Sequence, residues 1–145
     1  MKNKTLNSAI FILVSYLCFS QDVSLYSQFN GRYNYTAIGN TLNPIENSFF
    51  AGNCSMLSSS SANLNLLPSQ NVIAAYLYWA GSGQGDFEID LNGTPLTADR
   101  TFLTTFTGGR FFFSAFKDVT SIVQAQGNGN YTFSGLDISA YLTNA

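Results

Sequence analysis

Asp86-Phe87-Glu88-Ile89-Asp90-Leu91 alternates acid and apolar residue without a break, and Asn92-Gly93 follows at once. A strict period of two places Phe87, Ile89 and Leu91 on one face of a strand and the acids on the other. Asn and Gly both tolerate positive φ, so the dipeptide predicts a two-residue hairpin turn. Leu96-Thr97-Ala98, after Pro95, is then the return strand. Segment 72–80, Val-Ile-Ala-Ala-Tyr-Leu-Tyr-Trp-Ala, is apolar on both parities and predicts a central strand covered on both faces. Gly81-Ser82-Gly83-Gln84-Gly85 breaks it.

Two further strands, 101–106 and 110–116, flank a turn at Gly108-Gly109. Asp118 predicts an N-cap for a short helix over 119–125, because its carboxylate can accept free first-turn amides. Gly127-Asn128-Gly129 ends that helix, and 131–134 resumes as a strand. Residues 21–71 are polar and turn-rich, with a serine run at 58–61. The short apolar pieces 48–51 and 64–67 predict irregular strands, and Pro68 closes the segment. No long helical period and no internal repeat is present. The expectation is an all-β chain: an antiparallel β-sandwich of jelly-roll type with one short helix.

The N-terminus reads as an address. Met1-Lys2-Asn3-Lys4 is a short basic start, residues 8–19 are almost wholly apolar, and Ser20 offers a small residue for cleavage. That is the layout of a secretory signal peptide over 1–20, with a single domain over 21–145. The apolar run is short for a membrane anchor. Cys18 as a lipid-modified residue lacks a small neighbour before it. The protein is therefore expected outside the cell, without a membrane span in its mature chain. Beyond residue 20 only Cys54 remains, and exported thiols usually pair. Either Cys54 is a small buried residue, or it forms a disulfide with a partner outside this chain. The apolar, patterned sequence at 137–145 favours the second view, in which the chain is a fragment.

Composition narrows the chemistry. Six basic residues face eight acidic ones, and charged residues are 10% of the 145. No basic patch is available for phosphates, so nucleic acid is not an expected partner. The chain has no histidine, which removes the usual serine and cysteine triads and imidazole metal ligands. Ser82, between Gly81 and Gly83, therefore has no base to complete a nucleophile elbow. Those glycines also lack the strand-to-helix setting of a phosphate loop. No enzymatic activity and no cofactor are expected.

Asp86, Glu88 and Asp90 are the one calcium candidate, repeating at about 7 Å along a strand face. Calcium wants six to eight converging oxygens, whereas side chains on a flat strand diverge, which favours a solvated face. The same acids could be imagined as a glycosidase pair, but nothing in the sequence indicates a cleft. Tyr76, Tyr78 and Trp79 could make a sugar platform, yet Trp79 is opposite in parity to the tyrosines. Phe111, Phe112 and Phe113 meet the same difficulty, and core packing is expected of both groups.

Three pieces of the chain resemble a known family. Val72-Ile73-Ala74-Ala75-Tyr76-Leu77-Tyr78-Trp79-Ala80-Gly81, then 116–123 (Phe-Lys-Asp-Val-Thr-Ser-Ile-Val), then 129–137 (Gly-Asn-Tyr-Thr-Phe-Ser-Gly-Leu-Asp), occur in the family's order. The family is the large, gliding-motility-associated, type IX-secreted cell-surface proteins of Bacteroidota type. The resemblance covers residue 21 to the end. It implies an N-terminal β-sandwich on a longer chain that continues into adhesive or repeat modules, with a C-terminal sorting domain. The sandwich itself would run past residue 145. The function so implied is a structural or adhesive surface module whose partners are neighbouring domains of the same chain, polysaccharide or another surface component. The alternative is a carbohydrate-binding module of a secreted hydrolase, using an exposed tyrosine such as Tyr33 or Tyr35.

Overall fold

The computed structural model describes residues 24–45 and 55–142. The chain divides into two compact units, Met1–Tyr35 and Thr36–Ala145. Within the first, residues 24–35 hold neither helix nor strand. Phe29 and Tyr33 meet edge to face at 6.0 Å, and Gln28 Nε2 donates to Asn30 Oδ1 at 3.2 Å.

The second unit is a pair of antiparallel sheets with one α-helix among the described residues. Seven strands are formed: β1 Ser59–Leu64, β2 Tyr76–Ser82, β3 Glu88–Leu91, β4 Thr94–Thr97, β5 Arg100–Phe106, β6 Arg110–Asp118 and β7 Gly129–Ser134. The first sheet runs β1-β7-β3-β4 and the second β2-β6-β5. The expected all-β, sandwich-like fold is therefore present. A complete jelly roll has eight strands, and the described residues supply seven.

The hairpin forms as its turn chemistry dictates. Asn92 and Gly93 have φ of 52° and 76°, and Leu91 pairs directly with Thr94. Ile89 and Leu91 are buried while Glu88 stays exposed. The return strand starts at Thr94, so Pro95 lies within it. A proline is tolerated there because β4 is a sheet edge, where one side of the backbone needs no partner.

Four sequence expectations are corrected. β2 begins at Tyr76, four residues late, and lies at the edge of its sheet; it is not central or covered on both faces. Its buried residue is Trp79, while Tyr78 on the other face is 69% exposed. The serine run is not merely turn: most of it is β1, held by pairing Ser59 to Ser134 through Leu64 to Gly129. The expected strand at 64–67 has only Leu64 in regular structure, and 48–51 lies outside the described residues. The helix, α1 Thr120–Gln126, is capped at Val119, one residue beyond Asp118. Asp118 still acts there, its Oδ1 accepting the Thr120 N–H at 2.9 Å.

Two apolar clusters fill the space between the sheets. Leu64, Leu91, Val119, Val123 and Tyr131 form the one beneath α1. Trp79, Ile89, Phe113 and Ala115 form the other, with Phe87, Phe133 and Ile138 packed against it. Leu77 and Leu96 touch both clusters and join them. Fully burying a side chain of this size stabilises by about 1.5–3 kcal/mol, so the two clusters dominate the fold's stability. Among the described residues no helix is long and apolar enough to cross a membrane.

Candidate binding surface

Register decides which side chains leave the core. Residues directly opposed in an antiparallel pair share a face. In the second sheet Tyr78 opposes Phe116, Arg100 opposes Phe116, Phe102 opposes Ser114, Thr104 opposes Phe112 and Phe106 opposes Arg110. Phe113 and Ala115, of the other parity, are in the core. The outer face is therefore aromatic from edge to edge.

Phe116 is covered on that outer face by Tyr76 and Tyr78, whose ring centroids lie 5.4 and 5.2 Å away. Around this anchor Tyr78, Phe102, Phe106 and Phe112 are 69%, 56%, 61% and 42% exposed. Phe106 and Phe112 meet edge to face at 6.3 Å. Thr104 and Ser114 sit between the rings, with Arg100 and Arg110 near the ends of the β5–β6 hairpin. The first sheet's outer face is the opposite in character: Ser59, Ser61, Asn63, Asn130, Thr132 and Ser134, with Glu88 and Asp90 on β3. Its side chains bond one another, as where Thr132 Oγ1 and Asn130 Oδ1 lie 3.0 Å apart.

The sequence's aromatic candidates divide by parity. Trp79 and Phe113 are core, as expected, but Tyr78 and Phe112 are exposed, which corrects the expectation of core packing for both groups. Phe102 and Phe106 complete the surface and were not singled out from sequence. The sequence carries no clear signal for them: in Arg-Thr-Phe-Leu-Thr-Thr-Phe neither parity is cleanly polar, a pattern that marks neither face as the solvated one.

Of the three candidate acids, Glu88 is exposed on β3, while Asp86 lies before that strand and takes a structural place. Asp86 Oδ1 accepts the Glu88 N–H at 3.0 Å and Oδ2 accepts the Asp137 N–H at 2.8 Å. Asp90 lies against Gly135, where a Cβ would come within 2.9 Å of its Oδ2. Among the described residues no group of three or more acids and cysteines converges as a metal site would. Cys54 lies outside the described residues. Asp99 is held below the usual carboxylate range by a 2.6 Å ion pair with Lys117 Nζ and by the Asp118 N–H. Asp137 is likewise lowered, by its hydrogen bonds with Ser139.

The glycines of 81–85 serve packing. A Cβ on Gly81 or Gly85 would come within 3 Å of the Phe113 ring, and one on Gly83 would strike Tyr141. Ser82 is the exposed last residue of β2. A shallow groove of about 370 Å³ lies between residues 66–72 and α1. Several polar groups beside it are engaged: Gln124 Nε2 donates to the Val72 carbonyl, Gln70 Oε1 accepts the Leu67 N–H, and Asn128 bonds both main-chain groups of Leu66. The groove is a seam that fastens the loop to the helix. Compared with protein-family models, curated proteins and solved structures, the chain finds no match.

Proposed function

We propose that this chain is an exported structural or adhesive module of a bacterial cell surface, the front part of a larger surface protein. The observation that carries the reading is the outer face of the second sheet. Single exposed apolar residues are ordinary, but Tyr78, Phe102, Phe106 and Phe112 lie on one face of three adjacent strands. Contiguous exposed apolar surface of this kind marks a place of contact with another body. The signal-like start at 1–20 and the resemblance to gliding-motility-associated, type IX-secreted proteins supply the location. Jelly-roll connectivity, completed by an eighth strand, belongs to the same reading. So does a disulfide from Cys54 to a partner outside this chain.

The work proposed is contact without chemistry, since the chain offers no histidine and the Asp86 carboxylate holds two backbone amides. Surface proteolysis of intact cells tests the location: the protein should be digested from outside, with a mature N-terminus at residue 21. Adhesion tests the role. Cells carrying Phe102→Ser with Phe106→Ser should lose attachment while keeping the protein on the surface. Protection from external protease, or unchanged attachment, counts against the proposal.

A carbohydrate-binding module is the second reading, favoured by the hydroxyls of Thr104 and Ser114 between the rings. Aromatic faces with adjacent hydroxyls suit a sugar's mixed apolar and polar surface. It expects saturable retention on an insoluble polysaccharide that Tyr78→Ala abolishes. Tyr33→Ala and Tyr35→Ala test the tyrosines of the first unit, where Tyr35 is 89% exposed.

A further inference from the structure

We infer that the free edge of β5 is a pairing site for a second copy of this chain, joining two β2-β6-β5 sheets through a twofold axis at Leu103. The inference does not depend on where the protein resides. It starts from which backbone groups are left over. Gly83 N–H donates to the Phe111 carbonyl, which turns the odd-numbered residues of β6 toward β2 and the even-numbered ones toward β5. Through the register, Phe102, Thr104 and Phe106 therefore direct their backbone groups to β6. Thr101, Leu103 and Thr105 direct theirs to the other side, where no strand pairs with them among the described residues.

The edge lacks the usual protections. Natural sheets guard open edges with lysine, proline, bulges or short length. The first sheet does so at β4, which is four residues long and contains Pro95. β5 is seven residues long, and from Thr101 to Phe106 it has no charge, no proline and no glycine. Every residue in that stretch is exposed, on both faces. Leu103, on the face that continues the core, is 53% exposed.

The sequence of β5 is complementary to itself in one antiparallel register. With Leu103 opposite its own copy, Thr101 falls opposite Thr105, and Phe102 opposite Thr104. Each residue with edge-directed backbone groups then meets another such residue, so their N–H and C=O groups bond reciprocally. Arg100, the strand's one charged residue, falls opposite Phe106 and not opposite a second arginine, so no like charges meet. Threonine pairs and a cation beside an aromatic ring are favourable cross-strand neighbours. Leu103 would be covered by its own copy, and the aromatic outer faces would become one continuous surface.

Sedimentation velocity of the purified whole chain is the first measurement. A dimer is expected at micromolar concentrations, with Leu103→Lys shifting it to monomer because two ammonium groups would then face each other at the axis. Thr97→Lys, on β4, should leave the dimer unchanged. The second measurement serves if Leu103→Lys fails to fold. In a Cys18→Ser/Cys54→Ser background, Leu103→Cys should oxidise to a covalent dimer, since directly opposed Cα atoms at about 5.5 Å lie within disulfide range. Thr97→Cys should oxidise far more slowly. A monomer at every concentration, a dimer indifferent to Leu103→Lys, or equal oxidation of the two cysteine variants overturns the inference.

Discussion

Trp79 Nε1 donates to the main-chain carbonyl of Asp86 at 2.9 Å. The bond ties the buried face of β2 to the loop that enters β3. Trp79 is the largest side chain of its core cluster, and Phe133 packs beside it at 6.3 Å between ring centroids. Trp79→Phe keeps an aromatic ring but leaves the carbonyl without this donor and a small void behind. A loss of about 1–3 kcal/mol is expected, read as a lower urea midpoint with an unchanged slope.

Asp86 should matter to the fold in a way that Glu88 does not. Its carboxylate accepts two backbone amides, and that of Asp137 is 51 residues away in sequence. Asp86→Ala should cost about 1–3 kcal/mol, since amides bonded to a charged acceptor lose more than an ordinary bond. Glu88→Ala, at an exposed position, should stay within about 0.5 kcal/mol. Millimolar calcium should leave the melting temperature of the native chain unmoved, because the Asp86 oxygens already face amides. A calcium-dependent rise in the melting temperature would show that these oxygens can be recruited by the ion.

The glycines beside β2 predict a graded response. Gly85 has φ of +90° and its missing Cβ would lie 2.7 Å from Phe113 Cγ, inside the core. Gly85→Ala combines backbone strain with overpacking and should cost at least about 2 kcal/mol. Gly93 has φ of +76° with nothing within 4 Å, so Gly93→Ala carries only the backbone term, about 1 kcal/mol. Equal losses at the two positions would mean that the Phe113 ring moves aside freely. Denaturant titration of both variants gives the comparison.

How far the sequence reveals this fold depends on whether the deciding contact is local. The Asn92-Gly93 hairpin is legible because two adjacent residues set the turn and six before it set the face. The serine strand β1 is not, since nothing in Ser-Ser-Ser-Ala-Asn-Leu prefers extension over turn. It is a strand because β7, about 70 residues later, pairs with it (Ser59 with Ser134). For the same reason 72–80 reads as central although β2 is an edge: apolarity on both parities says that both faces prefer cover, not that cover exists. The candidate surface was half legible. Parity separated Trp79 from the tyrosines, but the exposure of Tyr78 and Phe112 depends on which strands lie beside and over them.

Acid should weaken the fold partly through Asp99. Its carboxylate is lowered first by the hydrogen bond with Lys117 Nζ, then by the Asp118 N–H, against an ordinary value of 3.8. The folded state therefore binds the proton less readily than the unfolded chain. The stability this contributes is complete above the unfolded value and is lost as pH falls through the lower folded value. The window accordingly opens near pH 4 and extends downward from there. The pair is partly exposed, 26% at Lys117 and 37% at Asp99, so solvent screening limits its contribution to roughly 0.5 kcal/mol. Asp99→Asn removes the titration, so the variant's stability should fall less steeply between pH 4 and pH 2, with the remaining slope including Asp137, which is lowered in the same direction. Lys117→Met should flatten the same limb only in part, because the Asp118 N–H still bonds the carboxylate. Concentrated salt should shrink the difference between native chain and Lys117→Met, as it screens an exposed pair. Urea midpoints across that pH range, for the native chain and both variants, measure it. An acid limb identical in all three would mean that the Asp99–Lys117 contact contributes nothing to folding.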